Sequence, residues 1–209
     1  MSTELQAVVG RIRYALEQKN AAREVALRGC RETIRACSCA IRAIHRNERD
    51  ESIRLLLEAR ATIERVRSVL TEHPDLYHAG YVHDAQKEVV EAEVVFAIVA
   101  DRQPPTPEEM GVEGAAYLNG LAEAGSECRR YVLDRLREGD LVCAERVLRA
   151  MDDIYYELIA IDFPDAITGG LRRTTDAFRA VLERTRGDLT MTVTQRMLET
   201  ALRRAREEG

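Results

Sequence analysis

The chain has 209 residues, of which 32% are charged and only 5% aromatic, with five prolines and no Trp. Its 31 basic and 36 acidic side chains give a formal net charge of −5. That excludes a generally basic nucleic-acid binder and confines any phosphate contact to local patches.

The length suits a single domain, 1–209, with a substantial core, and the composition favours long helices over sheet. Lys19 and Lys87 are the only lysines; the other basic residues counted in the charge are arginines. Genomic base composition explains that bias as well as selection for bidentate phosphate contacts does. Five cysteines in no zinc-like spacing read as reduced thiols. Val94–Ala100, the longest uncharged apolar run, is too short to cross a bilayer. The first residues lack a charged-then-apolar leader pattern. These features lead us to expect a soluble, cytoplasmic protein without a membrane partner.

From Leu5 to about Arg46 there is no proline, and apolar residues recur at helical steps. Leu5, Val9, Ile12 and Leu16 come first, then Leu27, Cys30, Ile34, Cys37, Ile41 and Ile44, predicting one long helix with a narrow packing seam. Beside the seam run Arg28, Arg31, Arg35, Ser38, Arg42 and His45, with Arg46 just after. This stripe is either a solvated face whose stems cover the core or a track for phosphates.

Asp50 is a plausible N-cap for a second helix reaching about Thr71, with Ile53, Leu56, Leu57, Ile63, Val66 and Leu70 inward. Pro74 suits the start of a third helix that ends near Asp101. Thr106-Pro107-Glu108-Glu109 supplies an N-cap, a first-turn proline and a capping-box glutamate for a short turn. A further helix is expected over roughly Ala115–Glu138, and Gly139 and Asp140 then separate it from another spanning Leu141 to about Ile161. Asp165 to about Glu207 holds one or two final helices, weakened near Gly169-Gly170 and Gly187. No strand alternation, internal repeat or low-complexity tract appears. The expected fold is an all-α bundle of six or seven helices with short connections.

One segment of that bundle is anomalous. From Val89 to Ala100 the third helix is apolar on every side except at Glu91 and Glu93, although an all-round apolar helix belongs in an interior and glutamate is seldom buried unpaired. Glu88 and Glu91 leave the same face, with Asp84 a turn earlier. In the helix after the proline loop, Glu123 and Glu127 are also one turn apart, beside the small residues Gly120, Ala124 and Gly125. Four carboxylates facing one another do not all stay ionised without a counterion, and Mg²⁺ or Mn²⁺ suits such hard oxygen ligands. The alternative is a solvated, ion-paired stripe of Glu123, Glu127, Arg130, Asp134 and Arg137, with Glu93 the stray buried acid.

Other chemistries fit less well. No histidine completes the Glu-x-x-His pattern of a di-iron bundle, and no nucleophile elbow, P-loop or dinucleotide fingerprint is present. Tyr77, His78, Tyr81 and His83 form either a packing group at a helix entry or a platform for a nucleotide.

The order E-V-V-E-A in an apolar helix, a proline-bearing loop, then G-V-E-G-A-A-Y-L-N-G-L-A-E-A-G-S-E resembles the translin superfamily, and most closely its catalytic partner, translin-associated factor X. Arg31-Glu32-Thr33-Ile34 and, more loosely, Asp176–Arg186 extend the likeness over most of the chain. The resemblance implies an all-α subunit of a hollow, usually eight-membered homo-oligomeric shell that binds single-stranded RNA or DNA. It also implies Mg²⁺-dependent endoribonuclease activity inside the shell, with Glu88, Glu91, Glu123 and Glu127 on the acidic metal-binding positions. Plain translin subunits lack the full set. Position 123 carries Glu where the factor-X pattern has Asp, and the extra methylene moves that carboxylate. Arg28–Arg46 resembles the family's basic first helix. Two rival expectations remain: a nucleic-acid-binding shell without turnover, and a structural helical protein whose acids are all ion-paired.

Overall fold

The computed structural model describes residues 2–207, and among them every regular element is a helix. Six long helices carry the architecture: α1 (Ser2–His45), α2 (Arg49–Val69), α4 (Gly80–Val99), α6 (Gly114–Glu138), α7 (Leu141–Ile159) and α9 (Leu171–Glu207). Three single turns join them: α3 (Pro74–Tyr77), α5 (Pro107–Met110) and α8 (Asp165–Thr168). The helix α1 packs along α2 and α4, α4 lies on α6, and α6 is flanked by α7 and α9. Apolar residues from all six long helices merge into one buried cluster, with Val89, Val90, Val94 and Val95 of α4 near its middle.

Local chemistry explains most boundaries. The loop ahead of α5 closes as a reciprocal capping box, in which the Thr106 hydroxyl accepts from the Glu109 amide and the Glu109 carboxylate accepts from the Thr106 amide. Asp140 caps α7 through the Cys143 amide. Left-handed residues Asn47, Asp101 and Gly139 end α1, α4 and α6, each followed by an amide that reaches back to the last turn. The guanidinium of Arg146 on α7 then covers the end of α4, donating to the carbonyls of Ile98 and Val99 and to Asp101.

Several expectations need correction. Asp50 lies in the first turn of α2; Glu48 precedes that helix and makes no side-chain cap. Ile53 and Leu57 face outward, and the buried stripe of α2 is Leu55, Leu56, Ala59, Thr62, Ile63 and Val66. Pro74 starts only the single turn α3, and α4 begins afresh at Gly80. α9 runs unbroken through Gly187, because Leu182, Thr185 and Leu189 on either side of it are buried and hold the helix to its neighbours. Leu5, Val9, Ile12 and Leu16 of α1 are exposed, so the packed seam starts only at Ala26.

Glycine sets the closest approaches. A methyl group at Gly120 of α6 would stand 2.5 Å from Val90 Cβ and 2.8 Å from the Lys87 carbonyl oxygen of α4. One at Gly125 would collide with the Phe178 ring of α9. A methyl at Gly187 meets nothing. Gly120→Ala is therefore expected to lower stability by about 1–3 kcal/mol through overpacking. Gly187→Ala raises it by about 0.5–1 kcal/mol through helix propensity. Urea denaturation of the two variants checks the contrast.

Candidate metal centre

The α4–α6 contact at Gly120 decides which carboxylates meet. Glu91 follows the Lys87 contact point by four residues and Glu123 follows Gly120 by three, so both leave the facing surfaces, and Glu88, three residues before Glu91, stands on the same side. Each offers an oxygen, and those oxygens lie within 4.8 Å of one another. All three residues are partly buried, whereas Asp84, a turn earlier, is exposed. The start of α6 is fixed to α4 by buried Gln86, whose amide oxygen accepts from the Glu113 amide while its nitrogen donates to the Tyr77 hydroxyl. At the other side of α6, buried Asn119 donates to the Thr168 carbonyl and accepts from the Thr174 hydroxyl, holding α8 and α9 in place.

The fourth predicted acid is held differently. Glu127 Oε1 is 2.7 Å from Nε2 of His45, whose side chain is 2% exposed. Glu127 thus lies beside the three-carboxylate group, partnered by α1. Glu93 is the buried acid among the valines, and Arg60 of α2 binds it. Lys87 Nζ is 2.9 Å from Glu123 Oε1. Glu88 and Glu91 have no cationic partner within salt-bridge distance among the described residues.

The electrostatics follow from this arrangement. Burial first, then the charges of Glu88, Glu123 and Glu127, push the Glu91 carboxyl up to about 8, with Lys87 pulling the other way. Burial and Glu123 likewise raise Glu88. Lys87 stays charged: burial works against its ammonium, but the hydrogen bond and charge of Glu123, with Asp84 and Glu88, raise it above the ordinary value. Two buried thiols back the site. Burial and then Glu88, Glu93 and Glu91 raise Cys37, while burial with Glu127 and Glu91 pushes Cys128 up to about 12. Both remain protonated, which leaves a donor set of hard carboxylate oxygens fitted to Mg²⁺ or Mn²⁺.

The arginine stripe of α1 is on the surface: Arg28, Arg31, Arg35, Arg42 and Arg46 are all exposed. Arg46 pairs with Glu48 and Arg42 reaches the Cys39 sulfur. Arg28, Arg31 and Arg35 enter no ion pair among the described residues. Tyr77 belongs to the packing, bonded to Gln86 with His78 edge-on beside it. Sequence reasoning missed Lys87, Gln86 and the role of His45. The rarity of lysine in the chain was the one signal available for Lys87.

No protein-family model matches the chain. An uncharacterised protein of Methanocaldococcus jannaschii is 32% identical over 191 residues, which cover 90% of this chain and 84% of that protein. Among solved structures, AfC3PO in complex with duplex RNA is similar at 35% identity with a TM-score of 0.83, over 90% of this chain and 98% of that one. A crystal structure of AfC3PO matches to the same degree. Apo-NeC3PO, at 18% identity, 90% of this chain, 96% of that one and a TM-score of 0.75, shares the fold.

Metal-free stability carries the signature of the crowded acids. Folding lifts the Glu91 pKa from an ordinary 4.5 to about 8. Its contribution is therefore complete below pH ~4.5 and lost as pH rises through about 8. In EDTA, Glu91→Gln should remove much of the stability loss between pH 5 and pH 8.5. Mg²⁺ should raise the melting temperature of the wild type more at pH 8.5 than at pH 5, because binding to the folded state adds stability. Thermal melts at both pH values test both statements.

Proposed function

The chain belongs to the translin family, among its C3PO-type proteins, and from that membership and the three facing carboxylates we propose that it is a divalent-metal-dependent endoribonuclease acting on single-stranded RNA. The observation that carries this reading is the group Glu88, Glu91 and Glu123, whose oxygens converge within 4.8 Å with two of the three acids lacking a cation of their own. A bound Mg²⁺ supplies Lewis acidity toward water and phosphate oxygens. Glu88, Glu91 and Glu123 would hold it, and Glu127, steadied by His45, is placed to accept a proton or orient a water at the rim of the group. Arg31 and Arg35, exposed on α1, provide cations for flanking phosphates, with Arg28, Arg42 and Arg46 continuing the stripe.

Assembly of several copies into a shell belongs to the same reading. Leu5, Val9, Ile12 and Leu16 on α1, and Met197, Leu198 and Leu202 on α9, stand exposed, two apolar stretches of the kind that another chain covers. We take the partner to be further copies of this chain, eight by the family resemblance. No helix among the described residues is long and apolar enough to cross a membrane.

A second reading, RNA binding without turnover, is favoured by the Lys87–Glu123 pair, which satisfies one of the three acids without a metal. The structure of AfC3PO with duplex RNA makes duplex RNA the obvious second ligand to assay.

The deciding experiment follows cleavage of fluorescent single-stranded and duplex RNA with Mg²⁺ or EDTA. Cleavage of the single strand only with Mg²⁺, lowered at least about 100-fold by Glu91→Gln or Glu123→Ala, is expected. Equal rates for wild type and Glu123→Ala would end the catalytic reading. Separately, Arg31→Ala with Arg35→Ala should reduce the salt slope of RNA affinity by about two, one per phosphate contact, measured by fluorescence anisotropy over a range of KCl concentrations.

A further inference from the structure

We propose that Lys87 takes the place of a second cation in the acidic centre, so that the site accepts one divalent ion and presents the lysine ammonium as its companion charge toward a phosphate. The inference rests on the metal reading above and deepens it.

Three observations lead there. Lys87 projects from the same helical segment as Glu88 and Glu91, and its ammonium bonds Glu123 across the helix interface at 2.9 Å. It is thus part of the carboxylate group and no bystander on the surface. Its position is fixed at the backbone, because the Lys87 carbonyl packs where Gly120 has no side chain. Last, only two lysines occur among 31 basic residues, and the other, Lys19, pairs with Asp75 near the chain's surface. An arginine fork at position 87 would spread its charge over a plane and fill the space between the helices. A lysine ammonium is a compact point charge of the kind a small cation provides.

Charge balance selects the stoichiometry. Three carboxylates carry three negative charges, which one divalent ion and one ammonium neutralise. Two divalent ions beside Lys87 would leave excess positive charge in a half-buried pocket, where unbalanced charge is strongly disfavoured. With Lys87 removed, one divalent ion leaves one of the three carboxylate charges uncompensated, and that charge draws a second ion. The Lys87 side chain keeps 22% of its surface exposed, so it is not sealed off from a phosphate arriving at the group.

The test is a Mn²⁺ titration of the full-length protein, with free ion measured by electron paramagnetic resonance, for wild type, Lys87→Met and Lys87→Gln. Thermal melts establish that each variant folds, and two different substitutions guard against one of them failing to do so. One ion per chain in the wild type and two in the variants is the expected result. Two ions in the wild type, or one ion of unchanged affinity in the variants, overturns the role of Lys87 and leaves the metal reading standing. Absence of Mn²⁺ binding in all three proteins instead overturns the proposed function itself.

Discussion

The missing side chain at Gly120 is the constraint from which the site follows. It lets α4 and α6 touch backbone to side chain, with the Lys87 carbonyl and Val90 against the glycine. Residues three and four apart share a helix face, so a contact at that point commits Glu88 and Glu91 on one helix and Glu123 on the other to the same narrow space. Had the helices crossed a turn away, the same acids would have faced solvent. The helices are further locked in register by Gln86 and Asn119, buried amides that bond to backbone on neighbouring elements. Such buried polar groups are stabilising only when fully partnered, which makes them strict markers of register.

The second organising fact is how the chain distributes its internal cations. Of the interior acids of α4 and α6, Glu93 is held by Arg60, Glu123 by Lys87 and Glu127 by the His45 imidazole. Glu88 and Glu91 have no such partner among the described residues, and burial, then the charges of neighbouring acids, pushes their carboxyls upward. Buried charge without a partner is costly enough that it is retained mainly where something binds it. A chain that partners three acids in this small volume leaves Glu88 and Glu91 open where, among the described residues, three carboxylate oxygens converge.

Much of this architecture was legible in the residues. Helical periodicity, the Thr106 capping box and the Gly139-Asp140 junction each rest on local chemistry, and the structure bears them out. The facing of Glu88 with Glu91, and of Glu123 with the small residue Gly120, also followed from spacing. What was hidden depends on the third dimension. Nothing local distinguishes Glu93, buried on Arg60, from Glu91, open to the centre; the choice is made by which helix packs on which face. His45 follows the arginine stripe in sequence yet points inward to Glu127. The charged stripe of α6 proved to be two things: its first turns line the centre, while Arg130 is exposed and Asp134 pairs with Arg137 in solvent fashion. Whether the last helix continues through Gly187 stayed open in the sequence for a related reason: a glycine costs about 1 kcal/mol in a helix, less than the burial of Leu182 and Leu189 on either side returns.

The thiols behind the centre bear on the donors that a metal would meet there. Cys37 and Cys128 lie close enough for the carboxylates to raise their pKa values, with burial as the larger cause. Only a thiolate is a strong ligand for soft metals. Burial first, and then the negative charge of these carboxylates, therefore holds both sulfurs in the protonated form, which is a poor ligand. Cys37 and Cys128 are also fully enclosed in the core, which leaves their sulfurs little room to turn. The donors that remain at Glu88, Glu91 and Glu123 are carboxylate oxygens, the kind that small, hard ions prefer.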